Sequence, residues 1–156
     1  MRSGMFKGIT FYRDKLVIRV AAHEDHAACA GILAESWLSA LPSRRRNVGL
    51  AEFRDQTEGE LLLVAVLEPD VVGFISLWTK EWFVHHLFVD PAYQNQGVGT
   101  RLLTHAATLA GDRELSLKCQ VQNEGAIRFY GRLGFKQTTR KGVDEFGEWV
   151  ELRGRP

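Results

Sequence analysis

The chain has 156 residues and a net charge of +1, with 45% apolar and 25% charged residues. That suits one soluble globular domain with a sizeable core, and it argues against a generally basic nucleic-acid binder. The two cysteines, Cys29 and Cys119, form no CxxC pair, so neither a structural zinc site nor a disulfide framework is indicated, and both read as buried reduced thiols.

Residues 1–14 read as an N-terminal extension without the apolar core of a signal peptide, and whether residues 1–4 are native stays open. With no stretch long enough to span a membrane, a cytoplasmic protein without membrane or nucleic-acid partners is expected. Leu16–Ala21 alternates as a strand, and His23–Leu38 carries apolar residues at helical spacing (Ala27, Ala30, Leu33, Ala34) until Pro42. A polar, irregular region follows, with one short helix near Leu50–Arg54. Leu61–Glu68 and Val71–Thr79 form a hairpin of buried strands. Glu81–Val89 is the next strand, stopped by Asp90-Pro91.

Val98–Gly111 is an amphipathic helix with Val98, Leu102, Leu103, Ala106, Leu109 and Ala110 on its apolar stripe. Leu115–Val121 alternates as a strand. Asn123 caps a helix through Leu133, closed by Gly134 and Phe135. Phe135–Arg140 and Glu148–Arg153 are two last strands around a Gly142–Gly147 connection. The strand–helix–strand order in the middle implies parallel pairing through a right-handed crossover, with hairpins making the whole sheet mixed.

The stretch Gln94–Thr100, QNQGVGT, joins a strand to a helix. Its glycines let a partner approach the main chain, and the helix start presents unpaired N–H groups at the positive end of its dipole. Such a turn cradles a phosphate, or it is simply a tight corner. The third glycine of a dinucleotide fingerprint is replaced by Leu102, and no Walker lysine is present.

LFVDPAYQNQGVGTRLL resembles the acetyl-CoA-binding motif of the GCN5-related N-acetyltransferases (GNAT family), with Gln94, Gly97 and Gly99 at its defining positions. VQNEGAIRFYGRLGFK is similar to the family's other motif through Asn123, Ala126, Phe129, Tyr130, Leu133, Gly134 and Phe135. The resemblance runs from about Leu16 to Arg153 and implies an α/β (α+β) fold: a mixed sheet of six or seven strands flanked by about four helices. It also implies acetyl-CoA as acyl-donor co-substrate, no metal, and an amine acceptor, small molecule or peptide, attacked directly in a ternary complex. It admits a homodimer.

Carried over, the main chain of Gln94, Asn95, Gln96, Gly97, Val98, Gly99 and Thr100 holds the CoA pyrophosphate. The backbone of Leu87, Phe88 and Val89 serves the pantetheine and thioester, with a bulge before Asp90-Pro91 leaving an N–H at Leu87 or Phe88 for the oxyanion. Asn123 meets the pantetheine or merely caps its helix, with Ala126 and Phe129 beside it. Tyr130 is implied as the acid for the departing thiolate. Between unperturbed groups that transfer runs uphill by about 2 kcal/mol; the alternative is a core aromatic.

For the general base, His85 and Glu81 are the candidates, or a water chain serves. By alternation His85 and His86 should face opposite sides of the strand. Trp37, Leu41, Leu50, Phe53, Trp78 and Trp82 are candidates to line the acceptor pocket. His23, His26 and the Arg44–Arg46 run read as surface or capping residues. A non-catalytic acyl-CoA-binding regulatory module on the same fold is the alternative function.

Overall fold

The computed structural model describes residues 15–40 and 48–156, with only the backbone of residues 37–40. Trp37, Leu41 and the Arg44–Arg46 run therefore lie outside what is described, as do residues 1–14. Seven strands form one sheet in the order β1-β2-β3-β4-β5-β7-β6. They are β1 (Val17–Val20), β2 (Leu61–Leu67), β3 (Asp70–Trp78), β4 (Phe83–Val89), β5 (Leu115–Gln120), β6 (Lys136–Asp144) and β7 (Gly147–Gly154). The helices are α1 (His26–Ala40), α2 (Leu50–Gln56), α3 (Val98–Ala110) and α4 (Glu124–Arg132). This is the expected mixed α/β architecture.

Alternation along β2 divides two cores. Leu63, Ala65 and Leu67 join the α3 and α4 side, while Leu62, Val64 and Val66 pack toward α1 and α2. On α3, Val98, Leu102, Leu103, Ala106 and Ala110 are buried as the periodicity predicts, but Leu109 is exposed. On α1 the buried face runs through Cys29, Ala30, Ile32 and Leu33, leaving Ala27 in solvent. The helix starts three residues later than expected, after a 3-10 turn at His23–Asp25, where the Asp25 carboxylate accepts from the Ala22 N–H at 2.7 Å.

All pairings are antiparallel except that of β4 with β5, which are joined by α3 as a crossover. That parallel ladder is short. It pairs Phe83 with Ser116 and Val84 with Leu117, and then the strands part.

The last hairpin differs from the sequence expectation. Gly142 lies inside β6, opposite Trp149, rather than in a connection. The Trp149 ring covers it so closely that a Cβ there would sit 2.7 Å from the indole. Lys118 stacks on the same ring at 4.2 Å. A glycine reads as a breaker, but here it makes room for a cross-strand aromatic. Gly142→Ala is expected to destabilise the protein by about 1–3 kcal/mol through overpacking, measured as a lower midpoint in urea unfolding.

Candidate functional site

Past Val84 and Leu117, β4 and β5 run side by side without pairing, so the sheet opens into a gap at their C-terminal ends. The chain segments after these two strands are the glycine turn and the start of α4, both at the open end. Asp90 donates its N–H to Val72 at 2.8 Å, and Phe88 sits opposite Phe74. Alternation therefore ties the main chain of Phe88 to β3 and turns the N–H and C=O of Leu87 and Val89 toward the gap. Of the two expected oxyanion donors, Leu87 is the one facing the gap, and Phe88 is excluded.

The turn itself is anchored at its start. Asp90 accepts from the Ala92 N–H at 2.9 Å, and the Gln94 side chain donates to the Val89 carbonyl at 3.2 Å. Asn95 and Gly97 then take positive φ values of 61° and 84°. Gly97 is the N-cap of α3, and the first N–H groups beyond it, on Val98, Gly99 and Thr100, have no intrahelical acceptor. Gly99 lies under α4, where a Cβ would touch the Phe129 ring at 3.4 Å. Bare backbone, unpaired donors and a helix start thus coincide, and these residues fit a diphosphate.

Across the gap, Asn123 caps α4 by accepting from the Ala126 N–H at 3.1 Å. That occupies the Ala126 amide, so Ala126 offers a ligand its side chain only. The helix ends in a Schellman closure: Phe135 donates to the Tyr130 carbonyl and Gly134 to the Gly131 carbonyl, both at 3.1 Å. The rings of Phe129 and Phe135 meet Tyr130 edge-on at 5.1 and 5.5 Å. Burial, reinforced by the Cys119 thiol, raises the Tyr130 phenol far above its ordinary value. It therefore stays protonated throughout the neutral and alkaline range in which an amine is nucleophilic.

Cys29 and Cys119 are both buried and unpaired. Burial lifts the Cys29 thiol to about 12 and raises that of Cys119. Neither is a poised nucleophile.

The histidines depart from expectation. The register of β4 against β3 shifts where Ser76 pairs with His86 and Leu77 with Val84, which leaves His85 as an extra residue. This bulge lies nearer the start of β4 than the sequence suggested. It turns His85 onto the same face as His86, with the two rings 3.9 Å apart.

Both lie on the α1/α2 side of the sheet, where His86 is flanked by Phe74 and Phe88. His86 is buried and shares a hydrogen bond of 2.8 Å between its Nδ1 and the Ser76 hydroxyl. Burial, with help from the neighbouring His85, lowers its pKa to about 4. His85 is exposed and places Nδ1 2.6 Å from Oε1 of Glu60.

Burial would raise the Glu60 carboxyl. The hydrogen bond to His85, the nearby Ser76 hydroxyl and the two imidazoles outweigh it and hold the group below the usual carboxylate range. The donor atoms of Glu60, His85 and His86 lie within 4.8 Å of one another.

Residues 20–135 match the acetyltransferase (GNAT) family. The chain belongs to the GNAT acetyltransferases.

It is similar to the peptidyl-lysine N-acetyltransferase YjaB of Escherichia coli, 42% identical over 107 residues, covering 63% of this chain and 70% of that protein. The Salmonella typhimurium YjaB is 41% identical over 88 residues, 56% of this chain, and the match spans only 58% of that relative's length. The solution structure of apo-form YjaB from E. coli superposes with a TM-score of 0.68 at 31% identity, over 88% of this chain and 96% of that one. YncA of S. typhimurium, solved with its cofactor acetyl-CoA, gives 0.68 at 25% identity over 90% of this chain and 94% of its own.

Within this GNAT framework the glycine turn follows β4, and the Asn123-capped helix that carries Tyr130 follows β5, the two strands that part. Glu81 is not part of this arrangement: it lies exposed in the β3–β4 turn, because β4 begins only at Phe83. Phe53 is fully buried against Phe74, and Trp82 is 7% exposed with the core, so neither lines an open pocket. Trp78 is partly exposed and Leu50 half-buried. His26 accepts from Arg54 at 3.4 Å, and His23 lies 2.9 Å from the same guanidinium, which fits their expected surface role.

Glu60 is the residue that the sequence did not point to. It precedes β2 by one position in a polar stretch, and only the pairing of β2, β3 and β4 brings it to His85.

Gly97→Val is expected to abolish acetyl-CoA binding in calorimetry, since a β-branched residue does not adopt φ 84° without moving the turn. The depressed His86 pKa has a second consequence. The unfolded histidine takes up a proton as pH falls through 6.5, whereas the folded one resists until about 4. Stability should therefore be lost across that window, by roughly 3 kcal/mol. His86→Gln should flatten the loss in urea melts between pH 7 and 4.

Proposed function

We propose that the protein transfers acetyl from acetyl-CoA to a primary amine by direct attack, with a peptide lysine as the favoured acceptor class. Family membership carries the reaction class. The observation that carries the mechanism is the gap between β4 and β5. One rim turns the N–H and C=O of Leu87 and the N–H of Val89 toward the gap, and the other approaches a permanently protonated phenol. The YjaB relatives, which are peptidyl-lysine N-acetyltransferases, support the acceptor class.

In this reading the diphosphate rests on the N–H groups at Val98, Gly99 and Thr100, and the pantetheine runs between the strands toward Val84. The thioester carbonyl accepts from the Leu87 N–H, which stabilises the oxyanion as the amine nitrogen attacks. The carbon–sulfur bond breaks, and Tyr130 protonates the leaving thiolate. A high phenol pKa makes that transfer uphill, so the proton moves as the C–S bond lengthens and sulfur gains charge.

The ammonium form of the acceptor must lose a proton first. His85, exposed at the residue where β4 leaves β5, is the base. The reaction takes place at a cytoplasmic pH. No helix among the described residues is long and apolar enough to cross a membrane.

The test is release of CoA thiol on a panel of lysine peptides, peptide N-termini, polyamines and arylalkylamines. Lysine peptides should give the highest kcat/KM. Donor binding without thiol release on any acceptor would favour the non-catalytic acyl-CoA-binding module. Tyr130→Phe should lower kcat at least tenfold and leave the acetyl-CoA Kd unchanged, measured by stopped-flow turnover and calorimetry on the same preparation.

A further inference from the structure

We infer that Glu60 is a positioning residue for acetyl transfer, its carboxylate fixing the orientation and tautomer of the His85 imidazole that accepts the acceptor's proton. The inference rests on His85 as the base. Three observations carry it.

The first is the contact itself. Glu60 Oε1 lies 2.6 Å from His85 Nδ1, and the Glu60 side chain is only 8% exposed while the His85 ring is 41% exposed. An ionised carboxylate accepts hydrogen bonds and donates none. Nδ1 therefore carries a hydrogen, and in the neutral imidazole Nε2 is the nitrogen with the lone pair, which is the tautomer a base at Nε2 requires.

The second is the backbone. The bulge that makes His85 an extra residue also marks the end of the β4–β5 ladder, so His85 is the residue at which the gap opens. An unbulged strand would turn His85 to the opposite face, away from Glu60.

The third is the wall behind it. The His86 ring stacks on His85 at 3.9 Å and is itself held by Ser76, with the rings of Phe74 and Phe88 beyond. Held from behind and from below, His85 has little freedom to rotate. Among the described residues, the other Glu60 oxygen, Oε2, is buried without a hydrogen-bond partner. Packing alone would disfavour such an oxygen, which sets Glu60 apart from an ordinary surface ion pair.

The full chain, with a lysine peptide as acceptor, tests this in two ways. Long-range 1H–15N spectra of the histidines should show His85 protonated at Nδ1, and the hydrogen should shift to Nε2 in Glu60→Ala. Steady-state kinetics should show Glu60→Ala losing at least tenfold in kcat with the acetyl-CoA KM unchanged, and Glu60→Asp regaining part of it. Glu60→Ala added to His85→Ala should cost nothing more, since the two act as a unit.

A folded Glu60→Ala with native kcat overturns the inference, as does a wild-type His85 protonated at Nε2; the latter holds even if the variant fails to fold. Full activity of His85→Ala beside an impaired Tyr130→Phe removes the base assignment and Glu60 with it. A slow His85→Ala beside a fully active Glu60→Ala removes Glu60 alone.

Discussion

Everything at this site depends on the parting of β4 from β5 after two paired positions. In a continuous parallel sheet, the main-chain groups of Leu87 and Val89 would be consumed by the neighbouring strand, and no ligand could reach them. The exposure of the Leu87 groups and the Val89 N–H is a cost that the fold accepts along this seam. The bulge at His85 lies at the same point, so the irregularity that redirects the histidines coincides with the one that opens the sheet. A single local departure from regular pairing thus supplies hydrogen-bonding groups on one rim and a side-chain cluster at the residue where the gap opens.

The two helices that follow the parted strands complete the arrangement by different means. The start of α3 contributes backbone donors, made accessible by Gly97 in a left-handed conformation. The start of α4 is capped by Asn123 and gives up much of that capacity, but the helix carries Tyr130 into the core. One helix offers its terminus and the other its flank. Gly99 and Phe129 hold the two in register, for the missing Cβ lets the aromatic ring close against the turn.

Much of this could be read from the sequence, where local chemistry decides the outcome. The glycine turn, the Asn123 cap and the Gly134–Phe135 closure depend on residues a few positions apart, and each forms as its pattern predicts. The strands and their mixed pairing follow from alternation and from the α3 crossover. What escaped depends on register. Period-two alternation sends His85 and His86 to opposite faces, and no residue in the stretch announces the extra position that defeats it. Glu60 is hidden for the same reason: it is 25 residues from His85 in sequence and adjacent only once three strands are aligned. Gly142 reads as a loop residue because its role, making space for Trp149, belongs to the partner strand.

The closure of α4 has a kinetic meaning beyond ending a helix. The Tyr130 carbonyl accepts from the N–H groups of both Leu133 and Phe135, at 3.0 and 3.1 Å. The backbone that carries the phenol is therefore gripped at its own peptide group, while two aromatic rings confine the side chain. The proton donor is located when the chain folds, so the rotational entropy of placing it is lost once, at folding, and not again at every turnover.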